Sequence, residues 1–462
     1  MEGARSKCLA TIALMSASYF SMRAMTASVS SMALTSPARC AVASSPAVRL
    51  ARSEAMVTLP FGILRYTKNH QCIHEYAIRE AMAVRSVTEG GAIRVPATLM
   101  RGGTSKCWVF DADTLDALPV DVESVLLAAY GSDDPRQIDG VGGATSTTSK
   151  AMMVRIANRP DADIEYTFGQ VGIGAHSVEW GSNCGNCATA VGLYALQTGL
   201  VPVRPGRTDV RMFNTNTGAR LRTTIDTPSG IVPEVGTATV PGVHAGGVAV
   251  DLAFLNPAGD TTGKLLPTGR GVDLLDGTPA TLVDAGAPAA LIPAGAMGLT
   301  GLESPGELLP RVDELAVLRR AAALKMGLAK PADPISYAVP KIGVVGPARD
   351  YRDVEGELIS AADYDLSVRM ISMHAPHPAI GLTSAVAIGA AATVADGVVA
   401  ELLAGQQDRR MLRIGTPAGV ITARTEFDAD GALTGVALAR AARRIAVAEV
   451  FVPISVPVLA AS

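Results

Sequence analysis

The chain has 462 residues, which at roughly 100–200 residues per domain excludes a single small fold and favours two or three domains. With 48% hydrophobic and 18% charged residues it can bury a large core, which excludes intrinsic disorder. A formal net charge of −3 and only 4% aromatic residues give neither a basic footprint nor a stacking platform, so neither nucleic acid nor an anionic membrane is expected as a partner and a small molecule is.

Six cysteines, Cys8, Cys40, Cys72, Cys107, Cys184 and Cys187, are too few for a disulfide framework in a chain this long and point to a reducing, cytoplasm-like compartment. The uncharged stretch from Met370 to Ala395 is interrupted by His374, Pro376, His377, Pro378 and Gly381, so no membrane span is predicted. Residues 1–50 hold eleven Ala, ten Ser, five Lys or Arg and one acid, Glu2, with no period of 2 or 3.6. Residues 1–92 therefore read as a leader: a mitochondrial-type transit segment, a signal peptide suggested by Lys7 before an apolar run, or an extension upstream of a true start, since Met25, Met32, Met56 and Met82 are in frame. The last reading is preferred, and it leaves the protein cytoplasmic.

Regular alternation begins near Ile93. ATLMRGGTSKCWVF from Ala97 reads as strand, Gly-rich turn and strand, and ATLVDAGAPAALIP from Ala280 has the same shape. A helix is predicted next in each case, over Val122–Tyr130 and over Val312–Met326 with Leu315, Leu318 and Ala322 on one face. An apolar run then follows Lys150 in one case and contains Lys341 at its start in the other. A glycine-marked helix start comes next, at Asn183 or after Ala379, and then a strand pair around TNTGARLRTTI or GTPAGVITART. The shared order predicts a duplicated α+β unit whose two copies face each other across a cleft, the expected place for a small-molecule site.

Three constellations could carry chemistry there. The loop DGVGGATSTTSK, Asp139–Lys150, is not a Walker loop, because Ser149 precedes Lys150 and a strand follows. It places Lys150 behind five hydroxyls, Ser146, Thr147 and Ser149 among them, where burial could lower its pKa and let it take a proton from carbon. Asn183-Cys184-Gly185-Asn186 opens a helix, whose free amides and dipole favour an anion and would depress a thiol pKa. Cys187 completes a Cys-x-x-Cys spacing with no second pair for zinc, so packing is its expected role. The turn Arg101-Gly102-Gly103-Thr104-Ser105 offers amides, hydroxyls and a guanidinium as a carboxylate cradle, with a plain β-turn as the alternative. Arg369, His377, Lys341, Thr383 and Ser384, around the second helix start, are further substrate-binding candidates. His374 and His377 lack a third ligand, so no metal is expected.

MRGGTSK at Met100–Lys106, DGVGGATSTTSK and NCGN together resemble the PrpF family, with the likeness running from about Ile93 to Pro453. The family comprises 2-methylaconitate cis-trans isomerases and aconitate isomerases, with 4-oxalomesaconate tautomerase and methylitaconate isomerase as relatives. The resemblance implies a diaminopimelate-epimerase-like fold of two similar domains, 93–262 and 263–462, each with strands wrapped round a central helix. It implies Lys150 as the proton-abstracting base with Cys184 beside it, no cofactor, a homodimer as a candidate assembly, and a functional link to an aconitase-like dehydratase in propionate catabolism and the methylcitrate cycle. Two departures matter. Gly381-Leu382-Thr383-Ser384 stands where two-thiol racemases carry a second cysteine, which disfavours a symmetric racemase. Cys107 replaces a glycine after RGGTSK. The expected activity is isomerisation of 2-methylaconitate or aconitate, with the tautomerase or methylitaconate reactions as alternatives, an amino-acid epimerase as a further enzymatic rival, and a non-catalytic carboxylate-binding protein as the rival of another class.

If residues before Met82 carry nothing the enzyme needs, a chain started at Met82 folds and turns over substrate like the full-length protein. Soluble yield and specific activity compared side by side decide this, and loss of either assigns the leader a structural part.

Overall fold

A computed structural model describes residues 92–181, 183–333, 339–405 and 410–455, and the backbone of 55–59 and 62–66. By compactness the chain divides into residues 1–71 and 72–462. In the first unit Ala55–Leu59 pairs antiparallel with Gly62–Tyr66. The rest of the expected leader lies outside the described residues.

The second unit is a mixed, sheet-rich α+β structure. Its longer strands are β1 (Ala92–Gly102), β2 (Ser105–Asp111), β3 (Lys150–Ile156), β4 (Ile164–Val171), β5 (Gly206–Asn214), β6 (Arg220–Thr227) and β7 (Val243–Leu255). They continue with β8 (Thr278–Ala285), β9 (Ala287–Pro293), β10 (Lys341–Pro347), β11 (Leu366–Ser372), β12 (Met411–Thr416), β13 (Gly419–Phe427) and β14 (Leu433–Ser455). From β1 the pairings are an antiparallel hairpin with β2, then β2 parallel to β3, β3 antiparallel to β4, β4 parallel to β5, and β5, β6 and β7 antiparallel in turn. From β8 the same order of parallel and antiparallel steps recurs through β9, β10, β11, β12, β13 and β14. β14 then crosses between the two runs: Gly435–Ala442 pair with β7, and Ala442–Ser455 with β1. The C-terminal strand therefore belongs to the sheet of the first run as well as the second, a sharing that the expected division at 262/263 did not include.

Four helices matter for the site. α1 (Val122–Tyr130) is capped by the Asp121 carboxylate, which accepts from Ser124 N–H at 2.8 Å, and it ends at Gly131 with φ 62°. α3 (Val312–Lys325) buries Leu315, Leu318 and Ala322, the stripe predicted from their spacing. These two cover outer clusters on the far side of the strands. α2 (Gly185–Gln197) and α4 (Leu382–Ala391) are apolar nearly all round and buried along most of their length, so they sit inside one shared cluster with Met152, Val154, Val345, Val368 and Met370. Small residues make that possible. A Cβ on Gly192 would fall 1.8 Å from Thr223 Oγ1.

The turn between β1 and β2 lies directly on the start of α2. A Cβ on Gly102 would stand 2.1 Å from the Asn186 carbonyl oxygen, a backbone atom that cannot swing aside. Gly102→Ala is expected to destabilise the protein by about 1–3 kcal/mol, the usual cost of overpacking, and to lower activity by displacing α2. Gly306→Ala, where a methyl group meets open space, serves as the neutral control in the same urea titration.

Candidate active site

The loop before β3 is organised by Gln137, a residue that motif reading passed over. Its Nε2 donates to Ser149 Oγ at 2.8 Å and to the Gly172 carbonyl at 3.2 Å, while its Oε1 accepts from Ala144 N–H at 2.8 Å. Ser149 is fully buried and donates to the Val171 carbonyl at 3.0 Å, so it braces the loop and does not face a ligand, contrary to the expectation for it. Thr147 lends its carbonyl to Lys106 N–H at 2.9 Å, and Ser146 and Thr147 are exposed on the loop surface. Neither is brought to Lys150.

Lys150 itself is 8% exposed. Alternation along β3 puts it on the face of Met152 and Val154, towards α2. Its Nζ donates to Gln170 Oε1 at 2.5 Å, and Gln170 is turned that way by its own Nε2 donating to the Ser149 carbonyl at 2.8 Å. The ammonium also stands 4.9 Å from the Phe168 ring centroid and lies near the Cys184 thiol. Burial alone would depress this lysine, but the sulfurs of Cys184, Cys187 and Cys107 hold its pKa above the ordinary value. The expected lowering towards neutrality is therefore corrected: the shift is upward, so the resting group is an ammonium.

Cys184 is the N-cap of α2 and makes no side-chain cap. Its thiol is held well above the usual range, first by the hydrogen bond with the Cys187 thiol and then by burial, against the opposing pull of the Lys150 charge. The depression expected from a helix start is thus overridden. Cys187 is buried and joins Cys184 to Cys107, so the two unassigned cysteines back the site with a row of thiols. Asn183 accepts from the Tyr166 hydroxyl at 3.2 Å.

The Arg101–Ser105 turn does not form the open cradle predicted for it. Arg101 donates to the carbonyls of Gly103 at 3.2 Å and Gly246 at 3.1 Å, and Gly103 N–H is taken by the Ala441 carbonyl at 2.9 Å. Thr104 Oγ1 accepts from Asn186 Nδ2 at 3.1 Å, and Ser105 is buried. Two glycines let the turn close on α2, so its Arg101 and Gly103 donors go to backbone carbonyls and its Thr104 hydroxyl accepts from Asn186. Arg440 completes that contact by donating to Asn186 Oδ1 at 2.8 Å. Burial, and then the charge of Arg101, lower its pKa to about 10. Arg440 lies in a strand 254 residues from Asn186, and no local motif marks it.

α4 supplies the opposite wall. A Cβ on Gly185 would lie 3.0 Å from Leu382 Cβ, so the two helix starts touch. Beside them a cavity of about 330 Å³ is lined by Asn183, Arg220, Asp260, Lys341 and Thr383, among others. Ser384 is buried with its hydroxyl turned back towards Gly381. Lys341 is lowered by burial and then by the nearby charge of buried Arg319. His377 accepts from Ala379 N–H at 3.0 Å, and burial followed by the Lys341 charge depresses it to about 4, so it is a neutral imidazole. Asp260 is raised by burial and then by the charge of Asp284.

Arg369 is not part of this wall. Val368 and Met370 face α4, so Arg369 points to the other side of β11. There its guanidinium donates to the carbonyls of Glu303 at 2.7 Å and Val368 at 2.9 Å. Its expected contact with substrate is corrected to a structural one. Among the described residues no group of three or more His, Cys, Asp or Glu could hold a metal ion, and no helix is long and apolar enough to cross a membrane.

The PrpF protein family model matches residues 92–453. A 2-methyl-aconitate isomerase of Shewanella oneidensis is 37% identical over 353 residues, covering 71% of this chain and 88% of that protein. A 4-oxalomesaconate tautomerase of Pseudomonas putida is 36% identical over 356 residues, covering 76% and 94%. The crystal structure of a methylitaconate-delta-isomerase superposes with a TM-score of 0.71 at 34% identity, covering 78% of this chain and 96% of that one. With the motifs, the sheet order and these likenesses in agreement, the chain belongs to the PrpF family and is an isomerase.

Proposed function

We propose that the substrate is an unsaturated tricarboxylate, 2-methylaconitate or aconitate, isomerised by moving a proton at the carbon next to a carboxylate. The observation that carries this reading is the buried Lys150 ammonium, hydrogen-bonded to Gln170 and close to Cys184 at the start of α2. A proton leaving that carbon places its electron pair in a system conjugated with the double bond and the carboxylate. Rotation or bond shift followed by reprotonation gives the other isomer. The developing negative charge is stabilised by the amides of the α2 and α4 starts and by Lys341, with Asn183 and Thr383 lining the pocket. Lys150 carries the proton between nitrogen and carbon in this scheme. Its resting ammonium is the donor in one direction, and the amine left behind is the base in the other.

We read the recurring strand order as a duplicated unit in a diaminopimelate-epimerase-like arrangement, with α2 and α4 as the central helices and the cavity between the halves as the active site. The missing second thiol supports proton transfer by lysine over a two-cysteine racemase. A cis-trans isomerase of 2-methylaconitate would act beside an aconitase-like dehydratase in the methylcitrate cycle of propionate catabolism.

Proton NMR with cis-aconitate, 2-methylaconitate and oxalomesaconate in separate tubes identifies the substrate class. Lys150→Ala is expected to lower kcat by about 10²–10⁴-fold, the scale of a lost general acid or base. A near-normal kcat with only KM raised would remove Lys150 from that role. Cys184→Ser is expected to keep measurable activity, and substrate to slow alkylation of Cys184. A serine variant that is folded yet as inactive as Lys150→Ala would instead make Lys150 and Cys184 a joint acid-base pair.

A further inference from the structure

Lys150 and Lys341 occupy the same position in the two runs of strands. Lys150 opens β3, which pairs in parallel with β2, the second arm of its hairpin, through Trp108 and Ala151. Lys341 opens β10, which pairs in parallel with β9, the second arm of the other hairpin, starting at Ala289 and Lys341. Alternation places both on the inner face. Met152 and Val154 follow Lys150 towards α2, and Val345 follows Lys341 towards α4, while Ile342 and Val344 face the outer cluster under α3. The helix starts that these lysines accompany touch at Gly185 and Leu382. Lys341 lines the cavity together with Asn183, the residue before Cys184, and Cys184 lies near Lys150. Lys341 thus lines the cavity itself, and Lys150 stands behind the Asn183–Cys184 edge of it, at the start of α2.

We propose that Lys341 is the second proton-carrying group of the reaction, exchanging a proton with substrate held in the cavity that it lines. The inference rests on the reading of Lys150 given above and adds the partner that a resting ammonium needs. The surroundings of the two lysines differ in the required sense. Lys150 has the Gln170 carbonyl oxygen and the face of the Phe168 ring beside it, both favouring a cation. Lys341 is partly buried, and desolvation followed by the charge of Arg319 lowers its pKa from the ordinary value, which makes it the readier of the two to give up a proton.

The step balances as follows. The Lys341 Nζ lone pair takes a proton from the substrate C–H, and the C–H electron pair moves into the conjugated carboxylate system. Lys150 Nζ–H then gives a proton to carbon, leaving Lys341 as the ammonium and Lys150 as the amine. Water resets both, by accepting one proton and supplying one, and in the reverse reaction the roles exchange.

The test uses the full-length protein in heavy water with cis-aconitate, 2-methylaconitate and oxalomesaconate, following isomerisation and deuterium uptake by NMR from either isomer. Lys341→Gln is expected to lower isomerisation by at least about 10²-fold while Lys150 still exchanges the proton of one isomer, with Lys150→Gln giving the mirror result from the other isomer. Lys341→Arg keeps the charge but cannot act as a base, so its kcat is expected to fall equally, with KM within a few fold. A Lys341→Arg or Lys341→Gln enzyme with near-normal kcat and a raised KM overturns the proposal and leaves Lys341 as a binding group. Loss of exchange from both isomers in folded Lys341→Arg overturns it too. If the wild-type protein neither exchanges nor isomerises any of the three compounds, the functional reading falls, and the Lys341 assignment falls with it.

Discussion

Three backbones meet at one point because three positions there lack a side chain. Gly102 and Gly103 bring the β1–β2 turn against Asn186, and Gly185 brings the same helix start against Leu382 of α4. Any Cβ on Gly102 would strike a carbonyl oxygen, so the contact is set by main-chain geometry and not by adjustable packing. The start of α2 is thereby held between the turn on one side and α4 on the other. Cys184 and Lys150 inherit their positions from it.

That constraint also explains why polar groups near the site divide into two kinds. Arg101, Arg440, Asn186, Gln137 and Ser149 hydrogen-bond with one another's backbones or side chains and hold the loops in register. Lys150, Lys341, Asn183 and Thr383 turn inward, to Cys184 or to the cavity. A buried donor without a partner costs about 1–3 kcal/mol, and among these bracing groups the Nε of Arg440 is the buried atom left without one. The opposed charge preferences of the two lysines follow from the same economy of neighbours. Sulfur and carbonyl oxygen surround one, and cationic Arg319 and neutral His377 stand by the other.

Much of this was legible from residue order alone. The hairpins at Ala97 and Ala280, the helices at Val122 and Val312, and the buried helix after Asn183 all follow from periodicity, glycine placement and length, which are local properties. The motifs around Lys150 and Cys184 were likewise readable, because a hydroxyl-rich loop before a strand and a cysteine at a helix start are short-range patterns. Arg369 was misjudged for a related reason: its distance in sequence from His377 suggested one wall, whereas the period of 2 in β11 sends it to the opposite face.

Sequence by itself determined the elements, their order and the family to which they belong. Tertiary structure alone decided the protonation of the site and the identity of its supports. Gln170 reaches Lys150 from the neighbouring strand, Arg440 reaches Asn186 across 254 residues, and Cys107 and Cys187 reach Cys184 only after β2 and α2 have packed. A pKa is fixed by whatever charges and dipoles lie within a few ångströms, and those neighbours are assembled by long-range strand pairing. For that reason Lys150, whose pKa was expected to fall, is shifted upward, and Lys341 in the matching place is the one that burial and Arg319 lower.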